Sequence, residues 1–228
     1  MIIGKGLIAN VFKNKYENRH DVLIFASGVS NSKETKVSEF ERELILIKSY
    51  IKTKALFVYF STTSIKDKHL SKSSYINHKI NMEEYIAENA LNYLIVRTSN
   101  VIGSQGNKAT VINYFYEKIN SGENFDLWIK AKRNLIDVDD FNDIVNIVIH
   151  GKIKNQIVEV CNFNNLSVLS IVKVIEKRLN KKGNYNLIDD GGEIPINSFQ
   201  LESVIPKKLI NKLKNDNYFE KLLIKYYK

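Results

Sequence analysis

Three short runs of unbroken apolar residues, each followed by an amphipathic stretch, constrain this chain more than any other feature. They are residues 21–27 (DVLIFAS), 55–61 (ALFVYFS) and 93–98 (YLIVRT). A strand solvated on one face alternates apolar and polar residues, whereas a strand covered on both faces does not. Residues 37–52 place Phe40, Leu44, Ile45, Ile47, Tyr50 and Ile51 at helical spacing, and residues 7–15 and 73–89 also read as helices. Buried strands alternating with helices predict an α/β fold, a doubly wound parallel sheet covered on both faces.

The second half is more mixed. Residues 110–120 and 140–150 read as helices, 157–160 and 184–188 as strands, and 219–227 as a terminal helix. Ser167 is placed to cap a helix running through Leu179. Residues 1–103 are expected to form the core of the sheet. Residues 104–228 are expected to add its last strands and a small lobe over the carboxyl edge, in one compact unit with a soft boundary. A chain of 228 residues suits one such unit.

Thirty-four Lys and Arg against 25 Asp and Glu leave a formal charge of +9. The cations are spread along the chain and mixed with acids, with no basic run and no zinc-finger spacing, so nucleic acid is not an expected partner. The expected consequence is a mild attraction for anionic ligands. The single cysteine, Cys161, cannot form an internal disulfide, which points to a reducing compartment. No apolar run approaches the roughly 20 residues of a membrane helix, and the opening residues lack signal-peptide regions. A cytoplasmic location without a membrane partner is expected. His20, His69, His78 and His150 show no ligand spacing with Cys161, so no metal is expected.

Gly4-Lys5-Gly6-Leu7-Ile8-Ala9 joins a short strand candidate, residues 1–4, to a helix in the pattern G-x-G-x-x-A. Gly4 and Gly6 permit a tight turn and close backbone approach to a dinucleotide. The helix N-terminus at Leu7 and Ile8 faces the diphosphate, and Ala9 lets helix and strand pack closely. A plain strand–helix turn is the alternative. A dinucleotide unit should offer an acid about 20 positions on, at the end of the next strand, for the ribose hydroxyls. The next strand instead ends in Ala26-Ser27-Gly28, and its one acid, Asp21, lies at the wrong end. Either the ribose-binding strand is absent or the adenosine half is held differently. Lys13, Lys15 and Arg19 are candidates to meet a 2′-phosphate, and read equally as a solvated helix end.

Tyr75 and Lys79 form Y-x-x-x-K within the helix at 73–89, so both side chains share a face. An ammonium beside a phenol favours the phenolate, and such a tyrosine exchanges protons with a carbonyl or alcohol oxygen near neutral pH. Thr62, thirteen positions upstream, closes an apolar strand where an open parallel sheet binds its ligands, and strand alternation turns Ser61 and Thr63 the other way. A hydroxyl-rich loop with a surface tyrosine is the alternative.

In these ordered motifs the chain resembles the short-chain dehydrogenase/reductase superfamily, in its extended branch of NAD(P)-dependent nucleotide-sugar epimerases, dehydratases and reductases. The resemblance adds Phe25-Ala26-Ser27-Gly28, Arg97-Thr98-Ser99-Asn100-Val101-Ile102-Gly103 and Arg133-Asn134-Leu135-Ile136-Asp137-Val138-Asp139-Asp140 to the segments above. It implies a Rossmann-like fold abbreviated near the second strand, with a small C-terminal substrate lobe. It further implies Tyr75 as acid/base, Lys79 on the nicotinamide ribose and Thr62 orienting the carbonyl. Ala26 and Ser27 would lie beneath the NAD(P)H cofactor, Asn100 beside the substrate and Arg133 on the nucleotide diphosphate. A structural pairing of Arg133 with Asp137 or Asp139 is the alternative. Asp140 reads as a helix N-cap. Trp128 reads as packing within the lobe, or as stacking on a base. A homodimer through the helices at 37–52 and 73–89 is also implied, unless their apolar residues all face the sheet.

The departures narrow the expected activity. Thr63 and Ser64 stand where the resemblance places the Asp-Glu pair of sugar dehydratases, so elimination is not expected. The glycine turn is one residue shorter than G-x-x-G-x-x-G, and the Thr62–Tyr75 gap is also short. A trimmed adenosine pocket makes the cofactor exchangeable, which suits a reductase more than an epimerase that retains one NAD. The expectation is an NAD(P)H-dependent reductase, and the resemblance implies as its substrate a nucleotide-linked keto sugar, a 4-keto-6-deoxyhexose for a surface polysaccharide. An epimerase and a non-catalytic dinucleotide sensor or scaffold are the alternatives.

Overall fold

In the computed structural model, which describes residues 1–67, 70–104, 110–151, 153–197 and 199–227, the three apolar runs become neighbouring parallel strands. The chain begins β1 (Ile2–Ile3), α1 (Leu7–Tyr16), β2 (Val22–Phe25), α2 (Val37–Tyr50), β3 (Leu56–Thr62), a 3-10 turn (Thr63–Lys66), α3 (Ser74–Asn89) and β4 (Tyr93–Thr98). It continues β5 (Asn100–Ile102), α4 (Val111–Ser121), β6 (Asn124–Trp128), β7 (Lys132–Asp137), α5 (Val138–His150), β8 (Gln156–Val160), β9 (Asn165–Ser167) and α6 (Val168–Leu179). It closes with β10 (Asn184–Ile188), α7 (Phe199–Glu202), α8 (Lys207–Leu213) and α9 (Tyr218–Tyr226).

The central sheet has the order β1-β2-β3-β4-β8, and every pair in it is parallel. Its side chains divide by parity between two cores. Val22, Ile24, Val58, Phe60, Leu94 and Val96 pack against Phe12 and Tyr16 of α1 and Phe141, Ile144 and Val145 of α5. Leu23, Phe25, Phe57, Tyr59 and Ile95 pack on the other side against Ile47 and Ile51 and against Met82 and Ile86 of α3. Both parities are buried, which is why these strands show no alternation in sequence.

The rest of the second half forms two smaller sheets, β6 with β10 and β5-β7-β9. Strands β5, β6, β7 and β9 and helices α7 and α8 are not expected from the sequence, being short or only partly apolar. On β6, Phe125 and Leu127 are buried. Their alternation turns Trp128 outward, where it is 47% exposed, so its expected packing in the lobe is not found. Ser167 caps α6 as expected, accepting from the Ser170 N–H at 3.0 Å. Asp140 is not the cap of α5. That role belongs to Asp137, which accepts from the Asp139 N–H at 3.0 Å, while Asp140 is buried inside the helix.

Gly4 has φ of +131°, and a Cβ there would lie 2.3 Å from the carbonyl oxygen of Ala26. Only glycine lets β1 turn this close against the end of β2. Gly4→Ala should therefore destabilise the fold by about 2 kcal/mol or more, read as a lower urea midpoint with an unchanged slope.

Candidate active site

The carboxyl ends of β2, β3 and β4 open into a cleft of about 750 Å³, closed on its far side by β7 and the segment around Ile194 and Ile196. Gly6, Leu7, Ile8, Ala26, Ser27, Thr62, Tyr75, Lys79, Asn100 and Arg133 all line it. Of the residues expected at the site, Gly4 alone does not. It shapes the turn from behind. Among the described residues Lys5, Arg42, Lys79, Lys132 and Arg133 give the lining five cations, and none of its residues is acidic. Such a cleft favours anionic ligands.

Tyr75 is buried and its hydroxyl is hydrogen-bonded to the Thr62 side chain. Thr62 also accepts from the Ser64 N–H at 3.1 Å, which fixes it at the strand end. Thr63 turns its hydroxyl to the Thr98 carbonyl at 3.4 Å, and the Ser61 hydroxyl is buried without a partner.

The expected lowering of the Tyr75 pKa by Lys79 does not occur. The Lys79 ammonium donates to Glu43 Oε1 at 3.1 Å and to the Tyr59 hydroxyl oxygen at 2.9 Å. Burial pushes Tyr75 up to about 12; the Thr62 bond acts against this and the Glu43 charge adds to it. Tyr75 is thus a protonated acid at neutral pH. Burial also lowers the Lys79 pKa, opposed by Glu43.

Glu43 is the residue that sequence reasoning missed. It is fully buried, and it accepts from the Val29 N–H at 2.6 Å, the Tyr59 hydroxyl at 2.6 Å and Lys79, with His78 Nε2 at 2.9 Å. Burial alone would raise its pKa. Lys79, His78, Tyr59 and the Val29 amide outweigh burial and hold it at about 2. The signal for it is an acid within the stripe Phe40–Ile47–Ile51 of an amphipathic helix.

On the opposite wall Arg133 makes no ion pair with Asp137 or Asp139. Lys225 takes both, at 2.7 and 2.6 Å, and the Tyr226 hydroxyl adds a bond to Asp137 at 2.7 Å. Arg133 donates to the Lys132 carbonyl at 2.8 Å and is left facing the cleft, its pKa lowered by burial. Lys132 is held by Glu193 at 2.8 Å. Asn100 donates to the Asn134 carbonyl at 2.9 Å, and the Asn134 side chain clips β7 to residues 162, 164 and 165.

A diphosphate-bearing cofactor suits the glycine turn. Gly6 is the N-cap of α1 with no side-chain cap, and a Cβ on it would meet nothing within 4 Å. That leaves open room against N–H groups that still need acceptors. Of the three cations considered for a 2′-phosphate, Arg19 is bonded to Asp21 at 2.8 Å, Lys13 lies 3.7 Å from Glu17, and Lys15 lies over the Tyr16 ring. None of the three lines the cleft. Cys161 does, but burial pushes its thiol up to about 12. Among the described residues no group of three or more His, Cys, Asp or Glu is placed to hold a metal; His69 lies outside them. No helix among them is long and apolar enough to cross a membrane.

Residues 26–161 match the NAD dependent epimerase/dehydratase family. Solved structures of similar fold include dTDP-glucose 4,6-dehydratase from Bacillus anthracis in complex with NAD, at 15% identity and a TM-score of 0.65, covering 96% of this chain and 82% of that one. UDP-N-acetylglucosamine 4-epimerase from Methanobrevibacter ruminantium in complex with UDP-N-acetylmuramic acid matches at 15% identity and 0.67, over 99% and 81%. A hypothetical dTDP-4-dehydrorhamnose reductase from Sulfolobus tokodaii matches at 14% and 0.66, over 90% and 93%. No curated protein sequence matches the chain.

Glu43→Gln removes the charge that compensates buried Lys79, and should cost about 3–5 kcal/mol in urea unfolding at pH 7. Because the Glu43 pKa is depressed in the fold, its contribution is present above its ordinary value of 4.5 and is lost as pH falls from there toward 2. Stability measured across that window should decline in the native protein, and decline less in the variant.

Proposed function

The chain belongs to the NAD dependent epimerase/dehydratase family, and from that premise we propose that it is an NAD(P)H-dependent reductase of a nucleotide-linked keto sugar. The sugar is a 4-keto-6-deoxyhexose destined for a surface polysaccharide. The observation that carries this reading is the meeting of two hydroxyls at a strand end: buried Tyr75 is bonded to Thr62 in a cleft whose described lining carries cations and no carboxylate. Reducing a carbonyl consumes a proton at its oxygen, so the reaction needs an acid there. Epimerisation with one retained dinucleotide needs the adenosine half held, and among the described residues the cleft lining offers no acid for its ribose. Elimination needs further carboxylates, and none lines the cleft.

In this reading Thr62 shares the substrate oxygen with Tyr75 and sets its position, and the Tyr75 O–H gives up its proton to that oxygen. The cofactor, when bound, supplies hydride to the carbonyl carbon. Lys79, fixed by Glu43, holds the cofactor ribose. Arg133 takes the substrate diphosphate, for which its planar guanidinium is suited, and Asn100 lies beside the sugar. Two copies assemble through α2 and α3; exposed Val37 and Ile45 on α2 supply apolar surface for this.

The test follows NADPH and NADH consumption with dTDP- and UDP-linked 4-keto sugars. Tyr75→Phe should retain cofactor binding and lose about 10²–10³-fold in kcat. The native kcat/KM for reduction should stay flat from about pH 7 to 9, because Tyr75 keeps its proton there. Interconversion of sugar epimers with tightly held NAD and no net consumption would favour the epimerase. Cofactor binding without turnover, unchanged in Tyr75→Phe, would leave a sensor.

A further inference from the structure

The glycine turn sits on the edge of the sheet. In the usual dinucleotide-binding arrangement two strands lie outside the one that carries this turn, and the acid for the adenosine ribose stands at the end of the first of them. Here α1 ends at Tyr16, and the chain enters β2 at Val22 on the inner side of β1, pairing Ile2 with Ile24 and Ile3 with Phe25. Both outer strands are missing from within the chain, between α1 and β2. Among the described residues nothing in the sheet lies beyond β1, which is itself two half-buried residues long.

The other half of the arrangement is complete. Strands β2, β3 and β4 stand side by side, and their ends bring Thr62, Tyr75 and Lys79 to the cleft. Among the described residues the cleft lining offers no carboxylate to a ribose diol. Arg19 is turned to Asp21 and Lys13 toward Glu17, and Arg42, which does line the cleft, is tied to Glu39 and the Ser27 carbonyl, so that Lys5 at the glycine turn is left to the diphosphate.

We infer that this chain recognises its cofactor through the nicotinamide mononucleotide half, whose phosphate the glycine turn takes, leaving the adenosine half and any 2′-phosphate unread. The inference rests on the reductase reading above and deepens it. It follows that reduced nicotinamide mononucleotide binds nearly as well as the dinucleotides, and that NADH and NADPH are equivalent. Affinity is then modest, and the cofactor exchanges between turnovers.

Titration of the full chain with reduced nicotinamide mononucleotide, NADH and NADPH, at one ionic strength and followed by nicotinamide fluorescence, decides the matter. The three Kd values should fall within about tenfold, or about 1.4 kcal/mol, of one another. NADH binding a hundredfold tighter than the mononucleotide, or a more than tenfold preference between NADH and NADPH, would overturn the inference and leave the reductase reading standing. Binding of none of the three by folded protein would overturn both.

Discussion

One buried carboxylate organises the acid end of the site. Glu43 on α2 collects the Val29 amide beyond β2, Tyr59 on β3, and His78 and Lys79 on α3. A charge taken out of water costs several kcal/mol unless partners meet it in good geometry. Those segments therefore have to arrive in register for the carboxylate to be tolerated. Gly28 is part of the same fit: a Cβ there would lie 2.8 Å from the Lys79 ammonium and 2.9 Å from Glu43 Oε1. Burial, with the Glu43 charge adding to it, holds the Tyr75 pKa up.

The central sheet was legible in the sequence because both faces are buried, so that β2, β3 and β4 each stand out as an apolar run. The motif residues were legible too, since Gly6, Thr62, Tyr75 and Lys79 hold fixed places relative to those strands. The charge balance around them was not. Spacing places Lys79 beside Tyr75, but only the fold shows that Lys79 is bound to Glu43, 36 positions away. Local reasoning also made Asp140 a cap when Asp137 fills that role. The carboxylate of Asp140 is instead taken by Lys212 and by the Tyr218 hydroxyl at 2.8 Å, partners more than 70 positions distant. The strands of the lobe escaped notice because they are short, and because alternation as on β6 is carried by only two buried side chains.

The shortened sheet and the basic cleft bear on the same question. An enzyme that holds one dinucleotide through many cycles needs both ends of it gripped, whereas one that takes a fresh reductant each time is served by letting go. On the proposed reading, a sheet that ends at β1 among the described residues belongs with the second way of working. Cations stand at both walls, Lys5 and Arg42 on one and Lys132 and Arg133 on the other, with Arg42 paired to Glu39 and Lys132 to Glu193.

The wall that carries Arg133 is bound to the far end of the chain. Asp137, Asp139 and Asp140 find their partners in Lys212, Tyr218, Lys225 and Tyr226. During synthesis these carboxylates stay solvated until α8 and α9 have emerged. The sheet with Thr62, Tyr75 and Lys79 has by then had its own contacts available for some time. The wall that carries Arg133 thus has its carboxylates paired only once the last two helices are in place.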